Sequence, residues 1–105
     1  MPQYVPQTGD TALAETKEKV KKPSMYRVLM HNDDYTTMEF VVHVLCSIYS
    51  KPVDEAVLIM LNVHHKGIGM CGVFTHEIAE TKIEQTHEQA RNSGFPLMCS
   101  MEPAD

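Results

Sequence analysis

No apolar run in this chain approaches the roughly 20 residues that a membrane-spanning helix needs, so no such helix is expected. The first ten residues, MPQYVPQTGD, lack a basic stretch followed by an apolar one, so no secretory signal is expected. Cysteine is scarce. Cys46, Cys71 and Cys99 are odd in number and carry no CxxC spacing, which argues against a disulfide framework and fits a reducing cytosol. There is no phosphate-binding glycine loop and no internal repeat. Positive charge is also short. Residues 1–23 hold four lysines against three carboxylates, but the remainder holds five basic side chains against eleven acidic ones. An acidic body repels phosphate backbones, which disfavours nucleic acid as a partner, and it tolerates a cationic ligand.

What is present is one modest domain. The chain has 105 residues, 22% charged and 43% hydrophobic, ordinary values for a soluble globular protein. Residues 1–23 read as a flexible N-terminal extension, punctuated by Pro2, Pro6 and Gly9 and ended by Pro23. Within it Asp10 can cap a short helix over the Ala-, Glu- and Lys-rich stretch that ends at Lys22. That segment has too few apolar residues to dock firmly. The domain proper spans residues 24–105.

Tyr26 to Met30 is dense in β-formers and predicts a strand, followed by the turn-prone run Asn32-Asp33-Asp34-Tyr35. Thr36-Thr37-Met38-Glu39 fits a capping box with Thr36 as N-cap and Glu39 at the third helical position. Met38, Val41, Val42, Leu45, Ile48 and Tyr49 then recur as one helical face. Pro52 suits the start of the next helix, where Val53, Ala56, Val57, Met60, Leu61 and His64 again share a face, and Gly67 fits its C-terminal cap. Ile68 to Phe74 predicts a second strand. Thr75 opens a third helix from His76 to about Asn92, with Ile78, Ala79, Ile83 and Ala90 as its buried stripe and Gly94 as its stop. Leu97 to Met101 closes as a short strand. The class is α+β: a compact β-α-α-β-α-β domain, a three-stranded antiparallel sheet with three helices packed on it.

Two groups of residues stand out chemically. The turn at Asn32, Asp33 and Asp34 concentrates oxygen acceptors behind a strand, though from composition alone it reads first as a turn and helix-cap cluster. His64 and His65 are adjacent and point about 100° apart on a helix, so they do not readily share a metal, and a His on an apolar stripe usually belongs to the core. A zinc site from His64, Cys71 and Cys99 is weakly supported, and a Cys–His nucleophile has neither a lowered thiol pKa nor an oxyanion hole behind it. No metal or cofactor is expected. Met38 and Met60 fall on the inner faces of their helices, either as plain core or as the adaptable lining of a pocket for varied apolar guests.

Three segments, YRVLMHNDDYTTMEFVVHVL, MLNVHHKGIGMCGVFTHEIAETK and GFPLMCSMEPAD, closely resemble the ClpS adaptor family in order and spacing, over about Pro23 to Glu102. The resemblance implies a non-enzymatic cytoplasmic adaptor of the bacterial N-end rule. Such an adaptor binds Leu, Phe, Tyr or Trp at a free N-terminus and hands the substrate to the AAA+ unfoldase ClpA of the ClpAP protease. By position it implies that Asn32, Asp33 and His64 contact the α-ammonium and first peptide group. Asp34, Thr36, Met38, Val41, Met60, Val63 and Leu97 would line the side-chain pocket, and Tyr35, Glu77 and Lys82 would lie on the surface that docks the unfoldase. The tail would engage the unfoldase pore, and a monomer is expected. An ammonium offers three donors and a full charge, so fixed acceptors and negative potential suit it. Met38 at the rim would reject β-branched residues by shape. If His64 accepts from the ammonium it must be neutral, and binding should weaken as pH falls through the histidine range, near about 6.5.

The chain departs from the family pattern in Thr37 and Pro52, and in Gly69 and Met70, none of which touches the implied pocket. A ribosomal stalk-type interaction domain has a similar topology, but the NDDYT and HHKG segments do not suit it.

Overall fold

Strand β1, Met25–His31, runs through the middle of the molecule, and its alternate residues Val28 and Met30 are fully buried. This is seen in a computed structural model that describes residues 23–105. The order continues with α1 (Met38–Ser47), α2 (Val53–Lys66), β2 (Ile68–Thr75), α3 (His76–Ser93) and β3 (Met98–Pro103). The sheet order is β2-β1-β3, with both pairings antiparallel. Met30 lies opposite Cys99 on one side and Gly69 on the other. The β1–β2 register slips between Val28 and Leu29, so Cys71 is the extra residue of a bulge. The helices pack on the face that carries Val28, Met30, Cys71 and Cys99, joined in the core by Val44, Leu45, Tyr49, Ile59 and Val63. Each buried Val, Leu or Met side chain contributes about 1.5–3 kcal/mol. The Asp10 cap and its helix fall outside the described residues, as do residues 1–22 of the expected extension.

Helix α1 starts one residue later than the capping box predicts. Thr37, not Thr36, is the N-cap, and its hydroxyl oxygen accepts the Phe40 backbone N–H at 3.1 Å. Thr36 is withdrawn from capping because its backbone N–H and its hydroxyl both donate to the Asp33 carboxylate, at 2.7 Å each. Glu39 therefore stands at the second helical position and completes no box.

Helix α2 is rotated from the expected face. It buries Ala56, Ile59 and Val63, while Val53, Leu61 and His64 are exposed. Gly69 of β2 is the reason. A Cβ there would lie 2.7 Å from Val63 Cγ2 and 3.1 Å from the Ile59 carbonyl oxygen, so the Ile59–Val63 edge sits directly on the strand. Gly67 ends α2 in the left-handed region (φ 87°), and its N–H donates to the Val63 carbonyl.

Thr75 is the N-cap of α3 by backbone position, without a side-chain capping bond. Ala79, Thr86 and Ala90 form the buried stripe of this helix, and Ile78 is exposed. Burying Thr86 is possible because its hydroxyl donates to the Lys82 carbonyl at 2.8 Å and lies 2.9 Å from the Tyr49 hydroxyl.

Candidate functional site

The chain folds its most polar turn against the ends of two helices. The Asn32 backbone N–H donates to the Gly67 carbonyl at 3.0 Å, which ties the exit of β1 to the C-terminal cap of α2. The Asp33 carboxylate closes the turn that follows. Its Oδ1 accepts the backbone N–H groups of Tyr35 (2.8 Å) and Thr36 (2.7 Å), and its Oδ2 accepts the Thr36 hydroxyl. Partial burial pushes its pKa up, but these donors outweigh that effect and hold it below the ordinary carboxylate value. Asp33 is therefore a fixed negative charge at neutral pH.

These ties enclose a cavity of about 230 Å³, lined by Asn32, Asp33, Asp34 and Thr36 of the turn, Met38 and Val41 of α1, and Met60, Val63 and His64 of α2. Four apolar side chains thus share one concavity with a ring of polar groups. Among the described residues, no hydrogen bond is made by the Asn32 side-chain amide or by the His64 ring, which stacks edge-on with His65 at 5.1 Å between centroids. Both retain free lone pairs. The arrangement has the chemistry to take a ligand that is cationic at one end and apolar at the other.

Nine of the ten residues that the resemblance assigns to the ammonium and the side-chain pocket line this one cavity. Leu97, buried in the core like Val63, is not among the residues that line it. The implied docking residues lie on two elements, Tyr35 in the turn after β1 and Glu77 and Lys82 on α3. Tyr35 is 77% exposed just past the His31 end of β1, whereas Glu77 follows Thr75, which pairs with Met25 at the other end. Six strand steps separate the two ends, about 20 Å. Lys82 is partly occupied within the fold. Its ammonium donates to the Ile48 carbonyl at 2.8 Å and sits 5.3 Å from the Phe74 ring centroid.

The thiols lie elsewhere. Cys71 and Cys99 are buried beneath the sheet, while His64 is exposed at the cavity, so the three do not form one site. A hydrogen bond to Cys99 and burial both push the Cys71 thiol up, leaving it protonated and unreactive. Among the described residues, no three His, Cys, Asp or Glu side chains are grouped to hold a metal ion. No described helix is long and apolar enough to cross a membrane.

The family described as "ATP-dependent Clp protease adaptor protein ClpS" matches residues 21–100. The chain belongs to the ClpS family. An ATP-dependent Clp protease adapter protein ClpS from Desulfatibacillum aliphaticivorans is 59% identical over 95 residues, covering 90% of each chain. A ClpS from Brucella canis is 54% identical over 97 residues, covering 92% of this chain and 84% of the relative. These ClpS relatives are named as adaptors and not as enzymes. Among solved structures, Agrobacterium tumefaciens ClpS2 bound to L-phenylalaninamide superposes with a TM-score of 0.75 at 36% identity, covering 78% of this chain and 99% of that one. Asn32, Asp33, Asp34, Met38, Met60 and His64 stand out in the sequence by residue type alone, whereas Thr36, Val41 and Val63 are marked as lining only by the family pattern. Composition favours a turn and helix-cap cluster for residues 32–34, and periodicity places His64 on a face that the fold does not bury.

Proposed function

We propose that this protein is a non-catalytic adaptor for substrates that carry Leu, Phe, Tyr or Trp at a free N-terminus, and that it hands them to a ClpA-type AAA+ unfoldase in the cytoplasm. The observation that carries the reading is the single cavity in which Met38, Val41, Met60 and Val63 meet Asn32, Asp33 and His64. An N-terminal residue is both an ammonium with three donors and a side chain. The turn and His64 would take the first, and the methionine-rich cavity the second. A ClpS structure with an aromatic amino-acid amide bound supports the same pairing of groups.

The α-ammonium would sit near the anionic Asp33, with Asn32 and a neutral His64 as direct acceptors. Asp34 and Thr36 would edge the side-chain pocket. Acetylation removes the charge and two donors, leaving the site's acceptors unpaired, so discrimination against blocked N-termini should be large. For the unfoldase, Glu77 and Lys82 on α3 would form one contact. A partner that also reached Tyr35 would contact the turn after β1 as well. Delivery by the N-terminal extension, and action as a monomer, are part of the same proposal.

Fluorescence anisotropy with short labelled peptides that begin with free Leu, free Phe, free Val or N-acetyl-Leu tests the binding half. Tight binding of free Leu and free Phe alone supports it, and equal or absent binding across the four sinks it. Co-sedimentation of a peptide-loaded complex with ClpA tests the delivery half separately.

A further inference from the structure

Helix α2 carries more apolar residues than its buried face uses. Ala56, Ile59 and Val63 point inward. On other sides of the helix Val53 is 66% exposed, Leu58 63% and Leu61 36%, with Val57 half-buried. Val53 and Val57 are four residues apart, as are Val57 and Leu61, and Leu58 is three before Leu61, so the four make one continuous patch. Leu61 lies three before His64 and Val57 three before Met60, and both His64 and Met60 line the cavity. The patch therefore starts at the cavity's edge and runs back along the helix. Among the described residues, Val53, Leu58 and Leu61 remain exposed.

Resting on the reading of the cavity given above, we propose that this patch is a shelf for the second to about the fifth residue of the bound polypeptide, favouring apolar side chains there. Only the N-terminal residue fits the cavity, so the chain that follows must leave along its rim. Measured along the helix from His64, Leu61 is about 4.5 Å away, Leu58 and Val57 about 9–10 Å, and Val53 about 16 Å. An extended segment advancing about 3.3 Å per residue covers that length in about five residues, with alternate side chains facing the helix.

The size of the patch selects this occupant over a folded one. Four side chains on one helix offer a few hundred Å², against roughly 800 Å² per partner in a stable protein–protein interface. A segment already held by its first residue needs no such area, because its further contacts form within one complex. Asp54 and Glu55 lie in the first turn of α2, at the far end of the shelf, and disfavour an acidic segment.

Anisotropy with four labelled peptides tests the shelf. All begin with Leu, either free or N-acetylated, and positions 2–5 are either Leu/Val-rich or Gly/Ser-only. The native protein is expected to bind the free apolar-tailed peptide about 5- to 10-fold more tightly than the free Gly/Ser-tailed one, from partial burial of two or three side chains. In a Leu58→Ser/Leu61→Ser variant, whose thermal melt verifies folding, that ratio should fall to about 1. A native ratio near 1, or a ratio that survives in the variant, overturns the shelf while leaving the cavity reading intact. Equal binding of free and acetylated Gly/Ser-tailed peptides instead overturns the cavity reading, and the shelf with it. A peptide-free dimer in sedimentation velocity that the variant dissolves assigns the patch to self-association and overturns the proposal.

Discussion

The Asn32 backbone N–H donates to the Gly67 carbonyl at 3.0 Å, and this one bond sets the polar turn beside His64. Gly67 can present that carbonyl because it holds a left-handed conformation at φ 87°. Gly67→Val is expected to destabilise the domain by about 1 kcal/mol or more, since a β-branched residue is strained there. It should also weaken binding of a free-Leu peptide by misplacing His64. Urea unfolding and peptide anisotropy on the same variant read both effects. Unchanged affinity in a destabilised variant would show that the tie supports the fold alone.

The Asp33 carboxylate holds the turn through three donors. Its folded pKa is below the ordinary value of 3.8. A depressed carboxylate pKa contributes stability at pH above the unfolded value, and that contribution is lost as pH falls through the folded one. The native protein should therefore lose more stability than Asp33→Ala between about pH 5 and pH 2. Parallel acid-unfolding profiles for the two proteins would contradict this.

Peptide affinity should fall on acidification, because a protonated His64 ring has no lone pair to offer an ammonium and repels its charge. The His64→Gln variant keeps an acceptor without that proton chemistry. Its affinity should be lower at pH 8 and nearly flat to pH 5.5. A flat profile in the native protein removes His64 from the ammonium's contacts.

Thr86 is buried, and its hydroxyl lies 2.9 Å from that of Tyr49. Thr86→Val keeps the shape and removes the polar partner. The expected cost is about 1–3 kcal/mol in chemical denaturation, from a Tyr49 hydroxyl left poorly satisfied. Thr86→Ser should cost less because the hydroxyl remains, and equal losses in the two would point to packing as the cause.

The Lys82 ammonium caps the C-terminal end of α1 through the Ile48 carbonyl and lies over the Phe74 ring. Lys82→Met keeps the stem and removes the charge. The melting temperature should fall by several degrees, corresponding to about 1–2 kcal/mol. If the unfoldase also reads this charge, co-sedimentation with ClpA should weaken by more than a stability-matched Thr86 variant shows.

The sequence by itself determined the order and type of the elements. Local signals carry that information: β-formers at Tyr26–Met30, helical spacing from Met38 to Tyr49, and Gly67 and Gly94 as helix stops. It also determined the family, through a motif at the turn that composition alone leaves as a cap. On and just past α1 the expected Val41, Leu45, Ile48 and Tyr49 are buried, but which face of α2 is buried was decided only by the tertiary structure. Helix α2 has apolar residues on two sides, so periodicity cannot choose between them. The choice falls to Gly69, whose missing side chain lets the Ile59–Val63 edge lie against β2. The start of α1 was settled in the same way, by a carboxylate three residues upstream that takes Thr36 for the turn and leaves the cap to Thr37. That Leu97 joins the core while His64 reaches the cavity likewise depends on contacts between residues far apart in the chain, which no local pattern encodes.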